Sequence, residues 1–511
     1  MTPASICRTC ALAGLVLDLA ACGGDGGGSS PPNGPAQVST LAYVVTRCHE
    51  EKGGIGWSGS QSLWVRQGER SPVKVAEFAL GQPKIGGLCR LYAQSRNGLV
   101  SVVAGAFQRL GVTPDGSVVV FEVTDHFSDL VTHVIPEEQQ GVFAVRADGA
   151  GLRKVAEHSA EASFRVYLPC LLAPGTPGCP NVTCVGSVGS TSFAFSRDGQ
   201  RVTYTDLGPS DTGGDASQVF TLDLSTGERR QVTHLPALPV SPACIGQDAE
   251  CLHPAQLPIS LPAFLRDTTL AFSRGRGCTE SGGGVFTVKA DGTEAPRAVD
   301  TVALGDGAVL PVFQITGEGY AALGVLPGIP EDGVMFSTIF EVFVIEPPDS
   351  AELPGGRVLQ LTNYGRSDTD RPRMSIDRQR VFFQASANPN PPGTNPDHQC
   401  QCFSIDRLGG NLRQLTSFRA AGDRSRTCAD FASPGCTIGY SEVDMITGSL
   451  VFGSSCDPLG TNRTGAIAFF AIHPDGSGLR QLTDAHGMIT NPDGSVDVEL
   501  PSQFNVPARL R

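Results

Sequence analysis

The sequence predicts an all-β fold of about seven repeated four-stranded units, with six or eight as the neighbouring counts. Three observations carry this. One hairpin pattern recurs along the chain in constant order, turn residues punctuate each copy, and no stretch shows long helical periodicity. The clearest copy is GAIAFFAIHPDGSGLRQLT, Gly465 to Thr483. Alternating apolar residues (Ile467, Phe469, Ala471) lead into His473-Pro474-Asp475-Gly476-Ser477-Gly478, whose Pro, Asp and Gly suit a tight turn, and a short second strand ends in Leu482-Thr483.

Each unit has two halves. The first, strand–turn–strand, appears at Val142–Val155, Val219–Thr233, Val285–Gly292, Val342–Thr362 and Cys402–Thr416 as well as in the copy above, with Leu63–Val75 a degenerate version. Four of these end in Leu-Thr or Val-Thr. The second half, an aromatic-containing strand, a short turn and an apolar strand, is clearest at Gly111–Phe121 and Phe193–Tyr204 and weaker at Phe264–Phe272, Met374–Phe383 and Val443–Phe452. At about 65 to 78 residues per step, a unit matches one blade of a propeller, which needs about 40–45 residues, plus insertions. The segments 159–189, 235–260, 386–399 and 418–437 are rich in Cys, Pro and Gly and read as those insertions. A lone hairpin cannot bury its apolar faces, whereas blades packed in a ring bury both. Val498–Asn505 reads as the missing opening strand of the unit that starts at Thr40–Val45, so the two ends would close the ring.

These repeats resemble TolB-like, WD40-like propeller repeats, marked by an S-P-D-G turn and a terminal Leu-Thr. Thr113-Pro114-Asp115-Gly116 and Ser196-Arg197-Asp198-Gly199 carry the first element, although no unit has the full S-P-D-G. The resemblance covers roughly residues 38–511 and implies one β-propeller whose face engages an envelope protein partner.

The first residues read as a targeting segment rather than part of the fold. Arg8 precedes an apolar run, Ala11–Leu17, and Leu19-Ala20-Ala21-Cys22 resembles the lipobox of bacterial lipoproteins, with Cys22 as the acylated residue. Asp18 departs from an uninterrupted apolar run. Residues 22–37, rich in Gly, Ser and Pro, then form a tether to a propeller domain at 38–511. The expected location is the cell envelope, on a membrane through the N-terminal lipid. A net charge of −13 disfavours nucleic acid and anionic surfaces as partners of the body.

Of 16 cysteines, Cys170, Cys179, Cys184, Cys244, Cys251, Cys428 and Cys436 lie in loop-like segments and suggest disulfide staples. Cys244–Cys251 and Cys428–Cys436 are the expected pairs, each closing a short loop with no cysteine inside. His398, Cys400 and Cys402 make the nearest approach to a metal cluster, but lack paired C-x-x-C spacing. Pairing of Cys400 or Cys402 with a distant cysteine such as Cys456 is the plainer reading. Asp211–Asp215 does not follow a calcium-loop pattern, and Trp57 and Trp64 read as packing residues. No G-x-S-x-G elbow is present and no cofactor is indicated. The reading is therefore an envelope protein-binding or scaffolding module, with a carbohydrate-active lyase or hydrolase in the propeller channel as the alternative. Removal of residues 495–511 is expected to lower the melting temperature sharply, as measured by calorimetry; an unchanged melt would refute closure by the two ends.

Overall fold

The computed structural model describes residues 34–508, apart from 54–55, 85, 95–104, 126–130, 160–192, 237–258, 275–283, 300–311, 317–318, 328–337, 346–357, 367–368, 390–392, 419–427, 429–435, 463 and 485. The chain enters through β1 (Thr40–Glu50), β2 (Trp57–Gln67) and β3 (Val73–Ala79), then α1 (Leu88–Gln94). Blade 1 is β4 (Phe107–Val112), β5 (Val118–Val123), β6 (Gly141–Arg146) and β7 (Arg153–Ala156). Blade 2 is β8 (Ala194–Phe195), β9 (Arg201–Pro209), β10 (Asp215–Asp223) and β11 (Arg229–Gln231). Blade 3 is β12 (Ile259–Arg266), β13 (Thr269–Arg274), β14 (Gly284–Lys289) and β15 (Arg297–Val299). Blade 4 is β16 (Val312–Thr316), β17 (Gly319–Pro327), β18 (Thr338–Ile345) and β19 (Val358–Gln360). Blade 5 is β20 (Asp370–Met374), β21 (Arg380–Ala385), β22 (Gln401–Asp406) and β23 (Arg413–Gln414). Blade 6 is β24 (Ile438–Val443), β25 (Leu450–Ser454), β26 (Ala468–Ile472) and β27 (Arg480–Gln481), followed by β28 (Gly487–Thr490) and β29 (Val496–Asn505).

This is an all-β propeller, with one correction to the expected seven four-stranded blades. Six sheets are four-stranded; the remaining unit is a five-stranded sheet, in the order β28-β29-β1-β2-β3, made from both ends of the chain. Within it, β1 pairs antiparallel with β29, Tyr43 opposite Phe504 and Glu50 opposite Val496. The final strand therefore supplies the member that the first three lack, and the ring has no open seam at the termini. Neither β28 nor α1 was expected; both are too short to leave a periodic signal.

Each recurring residue has a repeated job. In five blades an aromatic of the second strand faces one of the third: Phe121 with Phe143, Tyr204 with Phe220, Phe272 with Phe286, Phe383 with Phe403 and Phe452 with Phe470. All five pairs are stacked, with ring centroids 5.6 to 6.2 Å apart. Such pairs add about 0.5–1.5 kcal/mol beyond the area they bury.

The Thr two residues past the fourth strand is a lock. In blade 5 the Thr416 hydroxyl accepts the Cys402 N–H at 2.8 Å and donates to the buried Gln401 Oε1 at 2.7 Å, while Gln401 also holds the Phe418 N–H at 3.0 Å. Blade 2 repeats this with Thr233, Val219 and Gln218, and blade 4 with Thr362, Val342 and Glu341. The Gln two residues before each Thr donates to that Thr's carbonyl at 2.6 or 2.7 Å. The short fourth strand thus stays attached beyond its ladder bonds.

The turn signatures are equally physical. Asp115 accepts the Thr113 hydroxyl at 2.6 Å and Asp198 the Ser196 hydroxyl at 2.5 Å, and Gly116 and Gly199 close both turns at φ +72° and +70°. Arg378 takes the corresponding place after Ser375-Ile376-Asp377, at φ +58°.

Antiparallel pairing sends alternate connections to opposite faces. Those joining first to second and third to fourth strands are two to seven residues long except 346–357; this is the turn face. The second-to-third and blade-to-blade connections reach 37 residues, at 157–193; this is the insertion face.

The three disulfides among the described residues, Cys48–Cys89, Cys400–Cys428 and Cys436–Cys456, all tie connections of the insertion face. The expected Cys428–Cys436 pair is thereby overturned: sequence proximity lost to the two flanking strand ends, which bring Cys400 and Cys456 nearer. Cys22, Cys170, Cys179, Cys184, Cys244 and Cys251 lie outside the described residues. Thr416→Val should cost about 1–3 kcal/mol, because the Cys402 N–H and Gln401 are left short of a partner. Thr416→Ser should retain most of that stability. Denaturant midpoints check both, and equal midpoints for Val and Thr would reject the lock.

Candidate functional site

The closing sheet outgrows the ring. The lower half of β1, Thr40–Val44, is buried throughout, whereas above it the pattern alternates: Thr46, Cys48 and Glu50 are buried while Arg47 and His49 are part-exposed. In β29 the upper half alternates likewise, with Val496, Val498 and Leu500 buried and Asp497 and Glu499 part-exposed. Two faces covered become one face covered, which is what a strand leaving a ring of packed blades must show. The register shifts between Val44 and Val45, placing Ser502 in a bulge whose hydroxyl meets Thr46 Oγ1 at 3.1 Å.

The apolar side of this extension is closed by α1. Leu88 and Tyr92 are fully buried there, in the core that also holds Val496, Val498 and Leu500. The Glu50 carboxylate accepts the N–H groups of Gly87 at 2.7 Å and Cys89 at 3.3 Å, and Cys48–Cys89 bonds helix to strand. Trp57 packs on this core, and Trp64 on the core shared by the closing sheet and blade 6.

The other side is a polar groove of about 620 Å³ lined by Arg47, His49, Ser58, Ser60, His486, Ile489, Asp497 and Glu499 among others. Cross-strand pairs hold it. Arg47 donates to Glu499 at 2.8 Å, His49 Nδ1 meets Asp497 Oδ1 at 2.7 Å, and Asn491 donates to Asp497 Oδ2 at 2.6 Å. The bond to Asp497 holds the His49 pKa above its ordinary value. Asn491, and then His49, hold Asp497 below the usual carboxylate range, and Arg47 does the same for Glu499. Paired carboxylates make poor general acids at neutral pH. Beside these pairs Ile489 of the edge strand β28, opposite Asp497, lines the groove and is exposed.

A second charged set lies inside. Arg109 donates to Glu122, to Ser159 Oγ at 2.7 Å and to the Thr205 carbonyl at 2.6 Å, crossing from blade 1 to blade 2. Arg229 pairs with Asp206 and lies 4.1 Å from the Phe220 ring centroid. Burial pushes the Asp206 carboxyl up to about 6, against the pull of Arg229 and Arg109. Glu122 and Asp206 are 0% and 1% exposed, so this set clamps a seam rather than facing a substrate. Arg373 of blade 5 reaches Glu442 and the Ser441 carbonyl of blade 6 in the same manner.

His398, Cys400 and Cys402 are not assembled as metal ligands. Cys400 is committed to Cys428, Cys402 is a buried thiol whose pKa burial raises strongly, and His398 Nδ1 contacts the Ser386 carbonyl at 2.9 Å. Cys456 pairs with Cys436, not with Cys400 or Cys402. The groove residues were missed in the sequence, although alternation in TRCHE and VDVEL is their signal.

No protein-family model matches the sequence, and no curated protein matches it. Solved structures similar to this chain include a candidate TolB from Agrobacterium tumefaciens, 13% identical, TM-score 0.34, covering 60% of this chain and 88% of that one. An oligogalacturonate lyase from Vibrio parahaemolyticus is 9% identical, TM-score 0.43, covering 86% and 98%. A prolyl oligopeptidase B from Galerina marginata is 11% identical, TM-score 0.39, covering 91% and 55%. The strand pairing itself, not these likenesses, defines the class of protein: a β-propeller closed by its two ends.

The His49–Asp497 pair makes a signed prediction. A raised His pKa contributes stability below its unfolded value of about 6.5 that is lost as pH rises through the folded value; a lowered Asp pKa contributes stability that is lost as pH falls through its own folded value. The pair is therefore strongest in mildly acidic solution between the two. Asp497→Asn should move the His49 midpoint down in an NMR titration, and an unmoved midpoint would dismiss the pair.

Proposed function

We propose that this chain is a lipid-anchored envelope β-propeller that binds a protein partner through its insertion face, in the manner of a scaffold. The observation that carries the reading is the asymmetry of the two faces. Long connections, all three described disulfides, the projecting closing sheet and the polar groove gather on one side, while short Asp/Gly turns close most of the other. Binding residues concentrate on loops held by a rigid scaffold, and disulfides restrain long loops in the exported setting that the Cys22 motif suggests. Exposed Ile489, opposite Asp497 on the groove face, adds apolar surface beside the ion pairs and gives the mixed apolar and polar character of a protein-binding surface.

The alternative, a carbohydrate-active lyase or hydrolase, needs open, convergent acid and base groups, and the described charged clusters are spent on seams and cross-strand pairs. A photo-cross-linking residue in place of Ile489 should capture one reproducible envelope protein, identified by mass spectrometry, and the same residue in place of Leu408 on the turn face should not. Ile489→Lys should weaken that complex at least about tenfold, or about 1.4 kcal/mol. Equal capture at both positions, or turnover of an acidic polysaccharide by the purified protein, would displace the scaffold reading.

A further inference from the structure

We propose that the turn face is the side held toward a lipid surface, with the insertion face presented away from it; this rests on acylation of Cys22. The described chain starts at Gly34, and its first residues are pinned to the turn face. The Ala36 N–H donates to the Gly478 carbonyl at 2.7 Å, Thr447 Oγ1 donates to the Gln37 carbonyl at 2.9 Å, and the Ser39 N–H donates to Asp444 Oδ2 at 2.6 Å. Thr447 lies between β24 and β25 and Gly478 between β26 and β27, both on the turn face, and Asp444 opens the first of these turns. Ala36 and Val38 are 0% and 4% exposed, packed in the core shared by blade 6 and the closing sheet, so the exit point is built in. Gly478 stands at φ +69°, and a Cβ there would come within 2.6 Å of the Gly34 carbonyl oxygen and 2.9 Å of the Ala36 nitrogen. Only glycine admits this approach.

Reach then decides the orientation. Residues 23–33 separate Cys22 from Gly34. Even fully extended, a chain of that length reaches at most about 35–40 Å. β1 rises from the turn face to the insertion face over eleven residues, about 36 Å. A tether turned back toward the insertion face would be stretched to its limit merely to draw level with the groove. On the turn face it reaches a bilayer without extension.

The test uses the full-length acylated protein on phosphatidylethanolamine/phosphatidylglycerol vesicles that carry an acceptor dye on the headgroups. A fluorescent amino acid replaces either Leu408, 68% exposed on the turn face, or Ile489, 55% exposed on the insertion side. Energy transfer should be about twofold stronger from 408, given a height difference on the order of 30 Å. Lengthening the tether with a long Gly/Ser insert should level the two signals. Vesicle-bound, acylated protein whose 489 signal equals or exceeds its 408 signal overturns the orientation alone. An N-terminus without acylated Cys22 by mass spectrometry overturns the anchor, and the orientation with it.

Discussion

The pairing of residues 40–50 with 496–505 is the constraint on which this architecture depends. Every other sheet is built from consecutive hairpins, whose strands find one another over short chain separations. The closing sheet alone joins strands from the two ends of the chain, Tyr43 opposite Phe504 and Glu50 opposite Val496. Phe504 also packs against Phe469 and Tyr440 of blade 6, with ring centroids 4.6 and 5.2 Å away, so the last strand seals a core as well as a ladder. Asn505 accepts the Val112 N–H at 3.2 Å and so binds the last strand to blade 1 on the other side. One strand thereby touches both neighbours of the closing sheet, and a ring of otherwise local units becomes cooperative.

Arginine provides a second layer of cohesion between blades. Arg153 donates to the Leu224 carbonyl, Arg201 to the Asp267 carbonyl and Arg66 to the Leu482 carbonyl, each across a seam. A guanidinium is always charged and presents several donors in one plane, so it satisfies a carbonyl and a carboxylate at once where apolar packing alone would leave carbonyls unmatched. The Arg109, Glu122, Asp206 and Arg229 set is the most buried instance. There a broken pair would cost about 3–5 kcal/mol, because an unmatched charge would stay inside. The perturbed Asp206 carboxyl therefore reads as structural, although perturbed carboxylates elsewhere often mark chemistry.

The closing sheet also explains why the two faces differ. Six blades end at the edge of the ring, but β1, β2 and β29 run on, and their extensions would expose Val496, Val498 and Leu500 without a cover. The connection from β3 to β4 supplies one, α1, fastened by Cys48–Cys89 and capped by Glu50. The polar groove is the back of that covered sheet. Structure and proposed recognition surface are thus two faces of one extension.

Much of this was written into local sequence. The hairpin order, the Asp/Gly turns, the Leu-Thr and Val-Thr endings and the matching opening and closing strands could be read directly, because each is a short-range signal with a period of two or a demanding turn geometry. The disulfide partners could not: Cys400, Cys428, Cys436 and Cys456 are all available to one another in the chain, and only the meeting of blades 5 and 6 selects Cys400–Cys428 and Cys436–Cys456. The fifth strand, the small helix and the groove were equally hidden. Arg47 and His49 look like ordinary polar positions until a strand 450 residues away sets Glu499 and Asp497 opposite them. Alternation reveals which side of a strand meets water, but the partner across the ladder is a property of the closed ring.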